Sequence, residues 1–304
     1  MPELPDVELY NEALRSRFQG QRLEGIKLLS PFVLRSIQPP ISEAVGKTIL
    51  DFERLGKRIV WVLEQDLFLV FHLMISGRFH LRKPEAKPRA KLDLAVFRIG
   101  DQQLALTEAS SKKRASLHLI RGRSALQALD PGGLEVLGCD LAEFGQRLKG
   151  QNRTLKRRLT DPRVFSGIGN AYSDEILHAA QLSPFKKTQD LSDAEVERLW
   201  RISQELLKRW IETLRAELKG KFPEKVTAFR KDFAVHGRFG QVCPVCGKAV
   251  QRIVLAENES NYCAQCQTGG KMLSDRALAR LLQSDWPKTI EEWEALQPNR
   301  TGPE

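Results

Sequence analysis

The 304-residue chain has few cysteines and no long apolar run. No stretch approaches the roughly 20 apolar residues that a membrane helix needs, so we expect no membrane span. The start, MPELPDVELY, is acidic and lacks the hydrophobic core of a secretion signal. We therefore expect a cytoplasmic or nucleoid location, and such a location disfavours a disulfide framework.

Negative charge is in deficit: the formal net charge is +10 and the pI is about 9.5. Counterion release would draw such a chain to a polyanion, although lysine-rich faces of an ordinary soluble protein explain the surplus equally well. The basic clusters are spread along the whole chain, at Arg54–Arg58, Lys112–Arg114, Lys156–Arg158, Lys186–Lys187 and Arg230–Lys231. This spread indicates a groove that follows a phosphate backbone.

The hydrophobic pattern predicts an α+β chain of several domains. Residues 4–18 have the pattern of a helix, and residues 21–120 have the short apolar runs typical of a β-sandwich. Helical patterns follow from about residue 138, including a glycine-rich turn before a helix, and Ser192 with Glu195 forms a capping box for a long amphipathic helix. We expect a β-sandwich with an opening helix, a helical domain, a cysteine module and a loose tail, at 1–136, 137–238, 239–285 and 286–304.

Four of the five cysteines form two C-x-x-C pairs, Cys243 with Cys246 and Cys263 with Cys266. Two such turns can complete a tetrahedral thiolate shell, and the strand-like residues between them predict a β-hairpin closed by zinc. Because protein fills all four positions, one structural Zn²⁺ is expected. Redox-active pairs or disulfides are the alternatives. Cys139 is expected to be a packed thiol.

Several motifs together resemble the formamidopyrimidine-DNA glycosylase / endonuclease VIII family. PELPDVE, from Pro2 to Glu8, is similar to the family's PELPEVE start, and GIGNAYSDEILHAAQLSP, from Gly167 to Pro184, resembles its helix–two-turn–helix signature. Lys57, in LGKR, matches a lysine in a β-turn, and the cysteine module resembles the family's zinc finger. The similarity extends over about residues 1–285 in the family's order.

The resemblance implies an enzyme that excises a damaged base and then cuts the strand. Removal of Met1 would leave Pro2 with a secondary amine, which can attack C1′ of a deoxyribose and form an iminium. Glu3 would protonate the sugar ring oxygen, and Lys57 would contact a phosphate. Without the resemblance, each of the three has an ordinary explanation: a stiff chain end, an acid at a helix N-terminus and a solvated lysine.

The resemblance also implies a DNA-binding set and a further acid. Lys156 and Asn170 would grip phosphate, although Asn170 could simply cap its helix. Glu175 would reach toward the reaction centre, unless it is an ion-paired helix residue. Asp6 stands where the family has glutamate. The implied partner is damaged DNA, bound by a monomer without a nucleotide cofactor or catalytic metal.

Three departures from the family affect lesion binding. Asn258 replaces the arginine that the family carries five residues before the third cysteine, with Glu257 and Glu259 beside it; Arg252 on the same hairpin is a possible substitute. In the HLGMSG run Ile75 replaces the methionine that fills the gap left by an everted base, with Met74 beside it, and either could instead be core. TEASSKKRASLHL replaces the DPRRFG loop, so Lys113 and Arg114 occupy the place of an aromatic wedge.

These departures leave alternatives open. Without a filling residue the cost of base flipping is harder to offset, which favours single-stranded, gapped or distorted DNA over duplex. An abasic-site lyase, or an enzyme acting on bulky or crosslinked adducts, tolerates the departures best because amine chemistry at an exposed aldehyde needs only Pro2. A damaged-DNA-binding protein without catalysis is the remaining alternative, and intact Pro2, Glu3 and Lys57 argue against it.

Overall fold

The chain divides into two compact units. A computed structural model describes residues 1–226, 230–255, 258–274, 280–281 and 286–296. The first unit contains Met1–Gly133 and Leu207–Ala228, and the second contains Leu134–Leu206 and Phe229–Glu304. Among the described residues, no helix combines the length and apolarity that crossing a membrane requires.

The first unit opens with the expected helix, α1 (Leu4–Phe18). Glu3 is its N-cap residue, and Pro5 lies in the first turn, where a missing backbone N–H costs nothing. The helix ends before Gly20, whose φ of 80° suits glycine. Leu4, Val7 and the residues that follow on the same face are fully buried, so packing against the sheets, more than helix propensity, stabilises this helix.

Eight strands form two antiparallel four-stranded sheets, which confirms the predicted sandwich. Their order is β1-β6-β7-β5 in one sheet and β2-β3-β4-β8 in the other. The strands are β1 (Leu23–Leu28), β2 (Ile49–Leu55), β3 (Arg58–Leu63), β4 (Leu67–His72), β5 (Gly77–Arg82), β6 (Asp93–Ile99), β7 (Gln102–Glu108) and β8 (Ser116–Arg121). A short helix, α2 (Arg123–Gln127), follows β8.

Aromatic side chains from both sheets form the centre of the sandwich. The rings of Trp61 on β3 and Phe97 on β6 have centroids 5.1 Å apart, and those of Phe71 on β4 and Phe79 on β5 are 5.2 Å apart. Edge-to-face contacts of this kind add to the free energy of burial. All four side chains are fully buried, so they lock the two sheets face to face.

The second unit contains the helices that the sequence predicts. They are α3 (Leu141–Lys149), α4 (Leu155–Thr160), α5 (Asn170–Ala179) and α6 (Asp193–Leu218), the last of which contributes its C-terminal half to the first unit. The predicted capping box at α6 is present: Glu195 N–H donates to Ser192 Oγ, and Ser192 N–H donates to the Glu195 carboxylate. Cys139 is buried and carries no disulfide.

The cysteine module belongs to the second unit and is not a separate one. It contains a hairpin of β9 (Gln251–Leu255) and β10 (Asn258–Tyr262), followed by α7 (Ala264–Thr268) and α8 (Ile290–Ala295). Residues 297–304 lie outside the described residues.

The expectation of a loose tail from residue 286 is wrong for residues 286–296. Ile290 is fully buried in one cluster with Ile253 and Tyr262 of the hairpin. Ile290 N–H donates to Gly270 O, and Lys248 pairs with Glu294 at 2.8 Å. The tail is polar in overall composition, but Ile290 and Trp293 lie three residues apart on one helix and pack on the cysteine module.

If α8 stabilises the module, Ile290→Ala should lower the free energy of unfolding by about 2–4 kcal/mol, the usual cost of emptying a buried isoleucine site. Leu296→Ala is the matched control, because Leu296 is the C-cap residue of the same helix and is 66% exposed. Urea unfolding of the zinc-loaded protein measures both. Equal stability of the two variants would show that α8 adds nothing to the module.

Candidate active site, DNA-binding residues and zinc module

The N-terminus of α1 buries the residues expected to do the chemistry. Pro2 is buried, and Glu3 and Asp6 are 2% and 7% exposed. Asp6 Oδ2 accepts a hydrogen bond from Glu3 N–H at 2.9 Å, as an acid in the first helical turn can. Burial raises the pKa of Asp6 to about 7, although the bond from Glu3 opposes the shift. A carboxyl group of Asp6 can therefore hold a proton near neutral pH.

The turn between β2 and β3 carries Lys57 and is tied to α1. Gly56 has a φ of 63°, which glycine allows without strain. Arg54 donates to Glu8 of α1 at 2.5 Å and to Gly56 O at 3.1 Å. One arginine thus connects the helix that begins beside Pro2 to the turn that presents Lys57, which is partly buried.

His72 is a further candidate that the motifs in the sequence did not identify. It ends β4, and its Nδ1 accepts the Met74 N–H at 3.1 Å, so the proton of the neutral ring is on Nε2. Burial lowers its pKa to about 4, with help from the charges of Arg58 and Lys57. A histidine at the end of an apolar strand, beside a basic turn, is the sequence signal that could have identified this neutral N–H donor.

Met74 and Ile75, the two expected wedge residues in the turn after His72, differ in exposure. Ile75 is 60% exposed, while Met74 is partly buried with a φ of 52°, a left-handed conformation that is rare for a bulky residue. Ile75, more than Met74, has the position of a side chain that could enter a duplex. Core packing, the alternative for both, does not describe Ile75.

The basic loop at 109–115 is held from inside by Glu108, which is 1% exposed. Its carboxylate accepts the backbone N–H groups of Arg114 and Ala115 and the Ser76 hydroxyl. Lys113 Nζ donates to the carbonyls of Glu108 and Lys91, so its ammonium helps to shape the loop. Arg114 is exposed.

In the second unit, Lys156 and Asn170 lie together. Lys156 Nζ donates to Asn170 O at 2.7 Å and pairs with Asp174, whose side chain is fully buried. Asp174 Oδ2 is 2.7 Å from His236 Nδ1. Asn170 is the first residue of α5, and its Nδ2 donates to Glu259 O on the zinc hairpin at 2.7 Å. It therefore connects the helix to the hairpin and does not act as its N-cap, which is Gly169.

Glu175 is held by backbone groups, and its expected approach to the reaction centre stays a prediction. Its oxygens accept the backbone N–H groups of Ala234, Val235 and His236 at 2.7–2.9 Å. Burial raises the pKa of this carboxyl, and the three backbone bonds oppose the shift. The contacts described for Glu175 anchor the segment Val235–Arg238, called the VHGR segment, to α5.

The four paired cysteines form a cluster that fits a metal ion. Their sulfur atoms all lie within 4.8 Å of one another, with Cys246 and Cys263 3.3 Å apart and Cys243 and Cys266 3.9 Å apart. Tetrahedral Zn²⁺ with Zn–S bonds of about 2.3 Å needs sulfur separations in this range. No disulfide links them. His178 Nε2 of α5 is 3.3 Å from Cys243 Sγ, close enough to donate a hydrogen bond to a metal-bound thiolate.

Arg252, the possible substitute for the missing arginine, lies on the hairpin with its guanidinium 4.5 Å above the Phe239 ring and 3.9 Å from Glu259. Its side chain is about half exposed. Asn258 pairs with Leu255 across the hairpin. The Asn258 side chain and Glu257 lie outside the described residues, so the effect of these two departures stays a prediction.

Comparison with known proteins gives three domain matches, one in each of the sandwich, helical and cysteine-module regions. Residues 1–113 match the formamidopyrimidine-DNA glycosylase N-terminal domain, residues 135–219 its H2TH domain, and residues 240–269 the zinc finger found in FPG and IleRS. The formamidopyrimidine-DNA glycosylase of Thermus thermophilus is 33% identical over 278 residues, covering 89% of this chain and 100% of that protein.

Solved structures of this family bound to DNA have a similar fold. The Lactococcus lactis Fpg in complex with abasic-site DNA aligns with a TM-score of 0.77 at 27% identity, covering 88% of this chain and 99% of that one. MutM in complex with DNA containing carbocyclic 8-oxo-G aligns with a TM-score of 0.78 at 27% identity, covering 88% and 100%.

Fold, cysteine cluster and matched domains together define a zinc-finger protein of the DNA-repair glycosylase class. The chain belongs to the formamidopyrimidine-DNA glycosylase / endonuclease VIII family. Its sandwich, helical and zinc-finger regions follow that family's order.

If His178 donates to Cys243, His178→Ala should weaken zinc binding by about 10–100-fold, the usual effect of removing a hydrogen bond to a metal ligand. Zinc transfer to a coloured chelator measures the change. His118→Ala is the control, because His118 lies on β8 in the first unit. Equal zinc affinity of His178→Ala and the control in this competition would exclude this role.

Proposed function

We propose that the protein excises an oxidised base from DNA with the amine of Pro2 and then cleaves the strand at the abasic site. The observation that carries the proposal is the burial of Pro2 and Glu3 together at the start of α1, beside Asp6. A chain end is ordinarily exposed and mobile. Its burial among acidic and basic side chains is what a terminal-amine nucleophile requires.

The surroundings of the terminus favour a neutral amine. While Met1 is present, the Pro2 nitrogen is a peptide nitrogen and cannot attack. Burial lowers the pKa of the Met1 amino group, and the charges of Arg78 and Lys57 lower it further against the opposing effect of Glu3 and Asp6. After removal of Met1 the same groups would surround the secondary amine of Pro2, which increases its nucleophilic fraction at neutral pH.

The proposed chemistry balances with the groups present. The Pro2 nitrogen bonds to C1′ as the C1′–base bond breaks, and the departing base takes up the proton that the amine loses. Cleavage of the C1′–O4′ bond, with a proton from Glu3 to O4′, then gives an iminium cation. Loss of the C2′ proton expels the 3′ phosphate, loss of the C4′ proton expels the 5′ phosphate, and water hydrolyses the iminium to free Pro2. Glu3 protonates the ring oxygen and, with Asp6 as a neighbouring proton holder, moves protons between these steps.

DNA binding is assigned to groups in each unit. In the first unit, Lys57 and the neutral Nε2–H of His72 are proposed phosphate contacts, Ile75 the residue that fills the space of the everted base, and Arg114 a further contact. In the second unit, Lys156 with Asn170 forms the phosphate-binding pair. One structural Zn²⁺ and a monomer in the cytoplasm or nucleoid complete the proposal.

A second candidate, cleavage of abasic sites with little base excision, is favoured by the loop at 109–115. Hydrogen bonds of Glu108 and Lys113 order this loop. The loop carries basic side chains and no aromatic one. Weak filling of a flipped-base gap would affect excision from duplex DNA more than reaction at an abasic aldehyde. The third candidate, a damaged-DNA-binding protein without catalysis, would form no covalent adduct.

Pro2→Gly and Glu3→Gln should each lower base excision by about 10²-fold or more while DNA affinity changes by less than about twofold. The first replaces the secondary amine that gives a permanently cationic iminium, the second removes the proton donor, and neither removes a proposed phosphate contact. Loss of a general acid alone costs about 10²–10⁴-fold in rate. Single-turnover release of the base from a lesion-containing duplex, with binding measured separately, gives both quantities. Glu12→Gln is the control, because Glu12 lies on α1 and pairs with Arg215.

Borohydride reduction separates the three candidates. A glycosylase becomes linked to lesion-containing DNA, a lyase only to abasic DNA, and a binder to neither. Mass spectrometry of the purified protein should show that Met1 is absent. Full excision by Glu3→Gln would remove Glu3 from the mechanism, and retention of Met1 in active protein would contradict the role of Pro2.

A further inference from the structure

The turn that presents Ile75 is held in an unusually tight conformation. Gly77 N–H donates to Leu73 O at 2.8 Å, and a Cβ at Gly77 would lie 2.2 Å from that same carbonyl oxygen. Met74 has a left-handed backbone at φ 52°. Ile75 is therefore exposed on a hydrogen-bonded turn that has no room for a side chain at position 77.

Arg78, the second residue of β5, connects this turn to a segment far away in the sequence. Its Nη1 donates to Ile75 O at 3.2 Å and to Gly77 O at 2.6 Å, while its Nε donates to Val226 O at 2.6 Å. The planar guanidinium group fixes the directions of all three bonds. A single side chain thus sets the distance between the Ile75 turn and Val226.

The segment 222–226, which follows α6, runs beside β5 and is attached to it at several points. Phe222 packs against Tyr10 of α1 with ring centroids 6.0 Å apart. Glu224 accepts the Leu81 N–H at 3.1 Å, and Val226 packs against the sandwich core. Contacts with α1 and β5 therefore fix the segment up to Val226, which is bonded to Arg78.

Arg78 also acts on the chain terminus through its charge. The N-terminal amine is faced by two acidic groups, Glu3 and Asp6, and by two basic groups, Arg78 and Lys57. Arg78 therefore acts on each of three parts: the exposed turn, the segment after α6 and the amine.

We infer that Arg78 is a positioning residue that aligns the Ile75 turn and the 222–226 segment with the nucleophile at Pro2. This inference rests on the proposed function. Misplacement of reacting groups by about 1 Å can cost about 10²-fold in rate. The hydrogen bonds described for Arg78 go to backbone carbonyls of the turn and the segment, so its effect should be greatest where the base must be flipped and least where an abasic aldehyde is already exposed.

The test compares Arg78→Ala and Arg78→Lys with Arg98→Ala. Arg98 lies on β6 of the same sheet, is more than half exposed and pairs with Glu24, so its loss removes an equal charge without these contacts. Single-turnover excision from duplex DNA containing 8-oxoguanine or formamidopyrimidine should fall by about tenfold or more in both Arg78 variants, by analogy with misaligned reactive groups. Arg98→Ala should be unchanged.

Lysine keeps the positive charge but lacks the planar guanidinium group that bonds all three carbonyls. The two Arg78 variants therefore separate the effect of geometry from the effect of charge. Removal of a positive charge raises the pKa of a nearby amine. The pH midpoint of borohydride trapping on abasic single-stranded DNA should therefore move upward in Arg78→Ala and stay in place in Arg78→Lys. The trapping rate at its optimum should change by less than about twofold in both variants, because the aldehyde is already exposed.

Hydrogen exchange makes failure of this inference distinguishable from failure of the proposed function. If wild-type protein forms no adduct with abasic DNA, the proposed function is rejected, but amide exchange at residues 222–226 still reports the contact between Arg78 and Val226. Amide exchange in this segment should be faster in Arg78→Ala than in Arg98→Ala. Excision by both Arg78 variants at the rate of Arg98→Ala, or unchanged exchange at 222–226, would overturn the inference.

Discussion

The structure of the first unit depends on the burial of a chain end. Termini are ordinarily solvated, yet α1 carries Leu4 and Val7 into the sandwich core and thereby draws Pro2 and Glu3 out of water. Removal from water makes charge expensive, which favours a neutral amine and a protonated Asp6. The same packing that stabilises the helix therefore creates the electrostatic conditions that the proposed chemistry needs.

Two adjacent carboxylates on α5 organise the second unit in a comparable way. Asp174 orients Lys156 and His236, while Glu175 holds the backbone of the segment that includes His236. Buried carboxylates are costly unless bonded, and here each is bonded to the elements it joins. The helix, the VHGR segment and, through Asn170 and His178, the zinc module are thus held as one arrangement.

The departures from the family's pattern have structural counterparts. Ile75 is exposed on a hydrogen-bonded turn where the family has methionine, so an apolar side chain remains available at that point. The loop at 109–115 is ordered around Glu108 and lacks an aromatic residue. If Pro2 and Ile75 act as proposed, the absence of an aromatic residue from this loop should shift activity toward distorted or already unpaired DNA.

The sequence alone was enough to predict the sandwich with its opening helix, the helical region and the four cysteines of the zinc module. These features depend on local spacing: alternation in strands, capping signals in helices and ligand pairs two residues apart. The residues of the proposed chemistry, Pro2 and Glu3, could be named because they lie together in a motif.

What only the tertiary structure decided was which side chains meet. The environment of Glu175, the neutral state of His72, the packing of residues 286–296 and the link from Arg78 to Val226 all join positions distant in sequence or depend on burial. Sequence patterns record which residues are apolar or charged. Desolvation and hydrogen-bond geometry arise only once the chain has brought distant groups together, so contacts of this kind cannot be predicted from spacing.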